Sequence, residues 1–260
     1  MPELPDLQVF SRNLNKHFAG KKLEKIKLLN SKRIKDTPSA LKKALEGSKL
    51  KQVFRSGKEL RFEFSNGHAL GLHLMLHGNL YLFDGKNSNK HTMVEFYFTG
   101  GKGLAVTDWQ GMANVKLDPQ DKQGVDALSK ELNLRYLREV LQTKAIIKNV
   151  LTDQDVIRGI GNAYADEILW TAGISPFAKG NEIPPSKIKD LLKAVRSVLL
   201  NAEKQILKKD PERITGEMRD FLVIHNSRKK ESPTGAKILT KTIGGRKTYY
   251  TEEQQVFDQE

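Results

Sequence analysis

The spacing of apolar positions divides the chain into a helical start, a long strand-rich stretch and a helical second half. Between residues 5 and 19, Leu7, Phe10, Leu14 and Phe18 recur at helical spacing, and Gly20 stands where a helix can end in a left-handed residue. From 22 to 117 the pattern becomes short β-like runs: KLEKIKLL, LKQVFRS, ELRFEFS, ALGLHLML, NLYLF, MVEFYF and LAVTDW. Turn-forming pairs separate them, at Ser56-Gly57, Asn66-Gly67, Asp84-Gly85 and the GGKG of 100–103. One short helix, around Ala40 to Leu45, interrupts the series. So many closely spaced strands predict a β-sandwich or barrel.

A polar linker follows, around Asp118 to Gly124. Beyond it the pattern predicts helices over Leu134–Leu141, Ile146–Leu151, Ala163–Thr171 and Ser186–Leu207. The last carries an apolar stripe of Ile188, Leu191, Leu192, Val195, Val198 and Leu199 and starts at Pro184-Pro185. Residues 226–260 hold too few apolar side chains for a core and read as a small hairpin lying on its neighbours. The class is α+β: an N-terminal β-sandwich domain with flanking helices (1–120), a helical domain (121–225) and a terminal hairpin (226–260).

Composition narrows what such a chain can do. Apolar residues make up 38% and charged residues 29%, enough for a core in a chain that stays in water. No run approaches the roughly 18 consecutive apolar residues of a membrane span. The first residues include Glu3 and Asp6 and do not read as a signal peptide; a cytoplasmic location is expected, at the nucleoid through DNA if the source is bacterial. The net charge of +13, from 44 Lys and Arg against 31 Asp and Glu, suits a polyanionic partner. The chain has no cysteine, which excludes disulfides and thiolate metal sites. His73 and His77 have a ligand-like spacing in a strand-like run, but two ordinary histidines on a β face are the simpler reading, and no metal or cofactor is expected.

Four motifs carry candidate chemistry. In Met1-Pro2-Glu3-Leu4-Pro5, removal of Met1 would expose the secondary amine of Pro2. Such an amine attacks an aldehyde-like carbon to form an iminium ion, and an α-amino group titrates near neutral pH, so much of it is nucleophilic. Glu3 is adjacent and suited to proton transfer. In Gly159-Ile160-Gly161-Asn162-Ala163-Tyr164-Ala165-Asp166-Glu167, a Gly-x-Gly turn opens a helix whose first N–H groups and Asn162 amide suit a phosphate, with Lys148 and Arg158 near in sequence. In Arg55-Ser56-Gly57-Lys58, a tight turn projects Lys58. In Gly244-Gly245-Arg246, a hairpin tip projects Arg246, whose planar fork matches phosphate oxygens. Singly, each is more commonly an ordinary turn or chain start.

Together and in this order, MPELP, RSGK, GIGNAYADEIL with its following AGISP, and GGRKTYY resemble the formamidopyrimidine-DNA glycosylase and endonuclease VIII family of bifunctional glycosylase/AP lyases. The resemblance spans residues 1 to 255. It implies that Pro2 attacks C1′ of a damaged nucleotide, that Glu3 acts as acid and base, and that the strand is cut by β- and δ-elimination. It also implies that Lys58, Asn162 and Arg246 hold phosphates around an everted nucleotide, and that the helical domain contains a helix–two-turn–helix. Damaged double-stranded DNA is the implied partner of a monomeric enzyme.

Departures from the family pattern sharpen the reading. Where relatives carry four zinc-binding cysteines, this chain has Glu231, Thr234, Thr251 and Gln254, which predicts a zincless finger held by packing through Tyr249, Tyr250 and Phe257. The Met of the family's void-filling wedge falls on Leu76, while its Arg and Phe fall on Gln110 and Met112. Leu76 and Gln110 are therefore candidate DNA contacts with weak discrimination of the opposite base. The segment between Met218 and Arg228 is short, on the endonuclease VIII side of the family, which points away from 8-oxoguanine and toward oxidised pyrimidines, hydantoin-type lesions or abasic sites. Asp6 stands where Glu is frequent. Two other readings stay open: an abasic-site lyase with little glycosylase activity, and a non-catalytic damaged-DNA-binding protein on the same scaffold.

Overall fold

A computed structural model describes residues 1–30 and 34–257. The last three residues of the expected terminal hairpin segment lie outside the described residues. By their contacts the residues form two units, Met1–Asp121 with Ile206–Glu217, and Lys122–Gln205 with Met218–Glu260.

The first unit opens with helix α1 (Leu4–Phe18). Glu3 is its N-cap, Pro5 lies in the first turn where no N–H is needed, and Asp6 accepts the Glu3 N–H at 3.0 Å in a reciprocal capping box. This explains why Asp6 is fully buried in a helix that is otherwise amphipathic. The apolar face of Leu7, Phe10, Leu14 and Phe18 is buried, with the Phe18 ring 4.5 Å from that of Phe98.

There follow β1 (Leu23–Leu28), α2 (Pro38–Leu45), β2 (Leu50–Ser56), β3 (Glu59–Phe64), β4 (Ala69–His73), β5 (Asn79–Asp84), β6 (Thr92–Phe98), β7 (Lys102–Thr107) and β8 (Asn114–Leu117). They make two antiparallel four-stranded sheets, ordered β1-β6-β7-β5 and β2-β3-β4-β8. One apolar cluster joins them: Phe62 of β3 and Phe96 of β6 stack at 6.4 Å, and the face of α1 joins the same cluster. This is the expected sandwich. Ile206–Glu217 belongs with it because Thr215 Oγ1 accepts the Leu80 N–H (3.0 Å) and Asn13 Nδ2 donates to the Arg213 carbonyl (2.8 Å).

Two details differ from the pattern-based expectation. The edge strand β8 holds only two apolar residues, too few to signal a strand by periodicity. The ALGLHLML run is not one strand. It stops at His73, and Leu74–His77 turn back with Met75 at φ +54° and the Gly78 N–H bonded to the Leu74 carbonyl at 2.8 Å. A Cβ on Gly78 would lie 2.2 Å from that carbonyl oxygen, so glycine alone closes the turn. His73 and His77 therefore do not share a β face. Among the described residues no three His, Cys, Asp or Glu side chains are grouped to hold a metal ion.

The second unit contains β9 (Val125–Asp126), α3 (Leu134–Val140), α4 (Ile147–Thr152), β10 (Ile157–Arg158), α5 (Asn162–Ala172), α6 (Pro185–Lys209), β11 (Leu239–Ile243) and β12 (Arg246–Tyr250). The helices match their apolar patterns within two residues. The two-residue parallel pair β9–β10 was not signalled. In α6, Ile188, Leu191, Val195 and Leu199 are buried, as a core stripe should be. No helix among the described residues is long and apolar enough to cross a membrane.

The β11–β12 hairpin turns at Gly244 and Gly245, both at positive φ (+53° and +74°), as a two-residue hairpin requires. Tyr249 is buried with its ring 4.7 Å from His225, Tyr250 meets Phe177 edge-on at 4.9 Å, and Phe257 is half-buried. Hydrogen bonds add to this packing. Glu253 Oε2 accepts from Thr234 Oγ1 (2.8 Å) and Thr251 Oγ1 (3.3 Å). Gln254 accepts the Thr251 N–H (2.9 Å) and donates to the Ile174 carbonyl (2.8 Å).

Candidate active site

In the first unit the candidate nucleophile lies at the start of a rigid helix. Pro2 is buried and Glu3 is 4% exposed. The Met1 ammonium pairs with Glu217, 216 residues away, so the chain start is held at a defined place. The capping box fixes the Glu3 backbone, and the unsatisfied N–H groups of the first turn give this end of α1 a partial positive charge. Glu217 carried no signal in the sequence, because its role comes only from the return of residues 206–217 to this unit.

Lys58 lies in the two-residue turn between β2 and β3, after Gly57 at φ +58°. That turn is tied to α1: Arg55 Nε donates to Gln8 Oε1 at 3.0 Å and its Nη1 to the Gly57 carbonyl at 3.1 Å. Leu76 and Gln110 are exposed on two loops that the structure brings together, since the His77 and Trp109 rings lie 4.9 Å apart. The Gln110 loop is held by the buried Asp108, whose carboxylate accepts the N–H groups of Gln110, Met112 and Ala113 at 2.7–2.8 Å.

In the second unit the GIGN turn is clamped by Gln154. Its amide donates to the Thr152 and Ile160 carbonyls and accepts the Gly159 N–H, all at 2.9 Å. Asn162 begins α5 and its Nδ2 donates to the Lys247 carbonyl at 2.9 Å. Arg246, the neighbour of Lys247, is exposed and donates through Nη1 to Thr152 Oγ1 at 3.0 Å. A guanidinium has five N–H donors, so this contact aims the group without exhausting it. Arg246, Thr152, Gln154 and Asn149 line a groove of about 400 Å³. Asn162 and Arg246, separated by 84 positions, thus meet at the hairpin tip.

Lys148 requires a correction. It is 2% exposed, with Nζ 2.6 Å from Asp166 Oδ1 and 2.7 Å from Thr248 Oγ1. A polyanion outside cannot reach an ammonium so enclosed, and Lys148 acts as an internal tie between α4, α5 and β12. Asp166 also accepts from His225 Nδ1 (2.7 Å) and the Tyr249 N–H (3.0 Å). The adjacent Glu167 accepts the N–H groups of Val223, Ile224 and His225 at 2.9, 2.7 and 2.7 Å. Burial pushes the Glu167 carboxyl up from its ordinary pKa, against the opposing pull of those three donors. A lysine with regular helical neighbours gives no sign in sequence that its charge is turned inward.

Two family models match the chain. The formamidopyrimidine-DNA glycosylase N-terminal domain covers residues 1–115 and the formamidopyrimidine-DNA glycosylase H2TH domain covers 123–210. The chain belongs to the formamidopyrimidine-DNA glycosylase family. A formamidopyrimidine-DNA glycosylase of Pelotomaculum thermopropionicum is 31% identical over 96% of this chain and 97% of its own. The Lactococcus lactis Fpg in complex with an abasic-site DNA superposes with a TM-score of 0.87 at 26% identity, over 98% of this chain and 99% of that one. A MutM in complex with carbocyclic 8-oxo-G DNA gives 0.87 at 28% identity, over 98% and 99%. As a member of the formamidopyrimidine-DNA glycosylase family the protein is a base-excision repair enzyme that acts on DNA; AP lyase activity is typical of the family.

The internal role of Lys148 has a measurable signature. Lys148→Met leaves the Asp166 carboxylate buried without its ammonium, and denaturant unfolding should show a loss of about 3–5 kcal/mol. The slope of log affinity for DNA against log salt should stay unchanged, whereas removal of a phosphate contact would lower it by about 0.9.

Proposed function

We propose that the amine of Pro2, freed by loss of Met1, is the nucleophile of a combined glycosylase and β,δ-elimination lyase. Its lone pair forms a bond to C1′ while the bond from C1′ to the damaged base breaks and the base leaves with a proton. Opening of the sugar ring, with Glu3 protonating the ring oxygen, gives the iminium ion. Loss of a C2′ proton then expels the 3′ phosphate, and a second elimination expels the 5′ phosphate. The observation that carries this reading is the position of Pro2 and Glu3, both buried, at the capped start of α1.

Lys58 in the first unit, and Asn162 and Arg246 at the hairpin tip of the second, supply the phosphate contacts in this proposal. Leu76 and Gln110 enter the duplex where the nucleotide is everted. The α4–turn–α5 element serves as the helix–two-turn–helix, clamped by Gln154. Sodium borohydride with an abasic-site duplex should trap a covalent adduct at Pro2, located by peptide mass. Pro2→Gly should trap poorly, and a chain shown by intact mass to keep Met1 should give none. Absence of any adduct with the processed chain would leave a DNA-binding scaffold without lyase chemistry.

We further propose the endonuclease VIII-like lesion range. Its support is the segment 218–228, which has no helix or strand and whose residues 223–225 are pinned by Glu167, leaving little chain to cap an everted purine. Time courses should show faster cleavage of thymine glycol, hydantoin or abasic duplexes than of 8-oxoguanine opposite cytosine. The reverse order would overturn this range, and cleavage of abasic DNA alone would leave the lyase.

The finger is proposed to fold without zinc, with the Glu253 and Gln254 hydrogen bonds tying its two ends in place of a metal. Elemental analysis of folded, active protein should find zinc well below one equivalent, and a chelator should leave the melting temperature unchanged. Stoichiometric zinc would refute it.

A further inference from the structure

The loops that carry Leu76 and Gln110 also expose an indole that the reaction scheme does not use. Trp109 is 63% exposed and is one of only two tryptophans in the chain; Leu76, on the facing loop, is also 63% exposed. Large apolar side chains left in water singly are unremarkable, but an exposed Trp beside an exposed Leu on two fastened loops is informative. Hydrogen bonds fasten both loops. Asp108 holds three N–H groups of residues 110–113, and its own N–H is bonded to the His91 carbonyl at 3.0 Å. The other loop is closed by the Gly78–Leu74 hydrogen bond and by Asn79 Nδ2 on the His77 carbonyl at 3.0 Å. The His77 ring, 4.9 Å from the indole and tilted by 48°, supports one side of Trp109.

We propose that Trp109 is a stacking platform for a nucleobase of the substrate duplex, the one left without its partner when the opposite nucleotide is everted. The charge of the surface favours a nucleic-acid occupant. Residues 74–78 and 109–113 contain no acidic side chain, the adjacent Asp108 is buried and committed to backbone N–H groups, and the chain carries a net +13. Every base offers a π-face, so stacking on an indole is tolerant of sequence. This supplies what the missing arginine leaves open: a contact that fills the space without selecting the opposite base. The inference rests on the proposed entry of these loops into the duplex.

The test uses the processed full-length chain and a duplex containing a reduced abasic site, with each of the four bases opposite in turn. Trp109→Ala, at an exposed position, should keep the wild-type melting temperature and weaken binding about tenfold for all four duplexes, while Trp109→Phe should retain most of the affinity. In a Trp170→Phe background, indole emission should be quenched by the duplex and become shielded from iodide. A 2-aminopurine opposite the site should report the stack independently, through a signal lost in Trp109→Ala. Unchanged affinity in Trp109→Ala together with an iodide-accessible indole in the complex would overturn the proposal. So would emission that depends on protein concentration without DNA and ignores the duplex, which would make this face a contact between copies of the chain. Borohydride trapping of the same protein preparations with an unreduced, aldehydic abasic-site duplex separates the two readings: an adduct with an unshielded Trp109 defeats only the stacking, and a shielded Trp109 without an adduct defeats only the Pro2 chemistry.

Discussion

Two neighbouring carboxylates on α5, Asp166 and Glu167, organise the second unit. Each is buried, and a buried charge is tolerated only when its desolvation is offset by ion pairs and donated hydrogen bonds. Successive helical residues point about 100° apart, so the two groups engage different neighbours. Asp166 gathers Lys148 of α4, His225 and the backbone of β12, while Glu167 takes three consecutive N–H groups of residues 223–225. The hairpin has too few apolar residues to hold itself. Its position, and with it that of Arg246, is set by these carboxylates, by the Asn162–Lys247 hydrogen bond and by the packing of Tyr249 and Tyr250.

The first unit meets the same requirement, fixed groups at exposed ends, by different means. The sandwich and the buried face of α1 form a single core, and everything with candidate chemistry sits where an element begins or turns. The capping box positions Pro2 and Glu3, the Arg55–Gln8 bond ties the Lys58 turn to the same helix, and Asp108 stiffens the loop of Trp109 and Gln110. Asp6, Gln8 and Asp108 are in this way buried or half-buried polar groups used to hold neighbouring structure in place. Such arrangements lower the ordering cost on binding, because the loops are already in place before a ligand arrives.

Polar side chains with local partners conceal their roles in a sequence. Asp6 reads only as a shorter acid where Glu is frequent and is in fact the reciprocal half of a helix cap. Lys148 reads as a phosphate contact because it precedes a basic, glycine-rich turn, yet its ammonium points inward to a carboxylate 18 positions later. His73 and His77 read as one β face until a turn at Met75 separates them. The lack of cysteine shows that no thiolate site can form, but not that Glu253 accepts hydrogen bonds from the Thr234 and Thr251 hydroxyls.

The sequence by itself determined the elements and the order of the motifs. Helical and strand periodicities, glycine turns and proline starts are local consequences of backbone geometry, so α1, the signalled strands and the four later helices lie where their patterns place them, except that the ALGLHLML run ends early at His73. The ordered motifs were also enough for the family, which the models matching residues 1–115 and 123–210 show. Only the tertiary structure decided which polar groups face inward, that residues 206–217 return to the first unit to meet Met1, and that Trp109 stands exposed against His77. Those outcomes depend on pairings between residues far apart in the chain, and the energy of such a pairing is a property of burial and geometry that no local pattern contains.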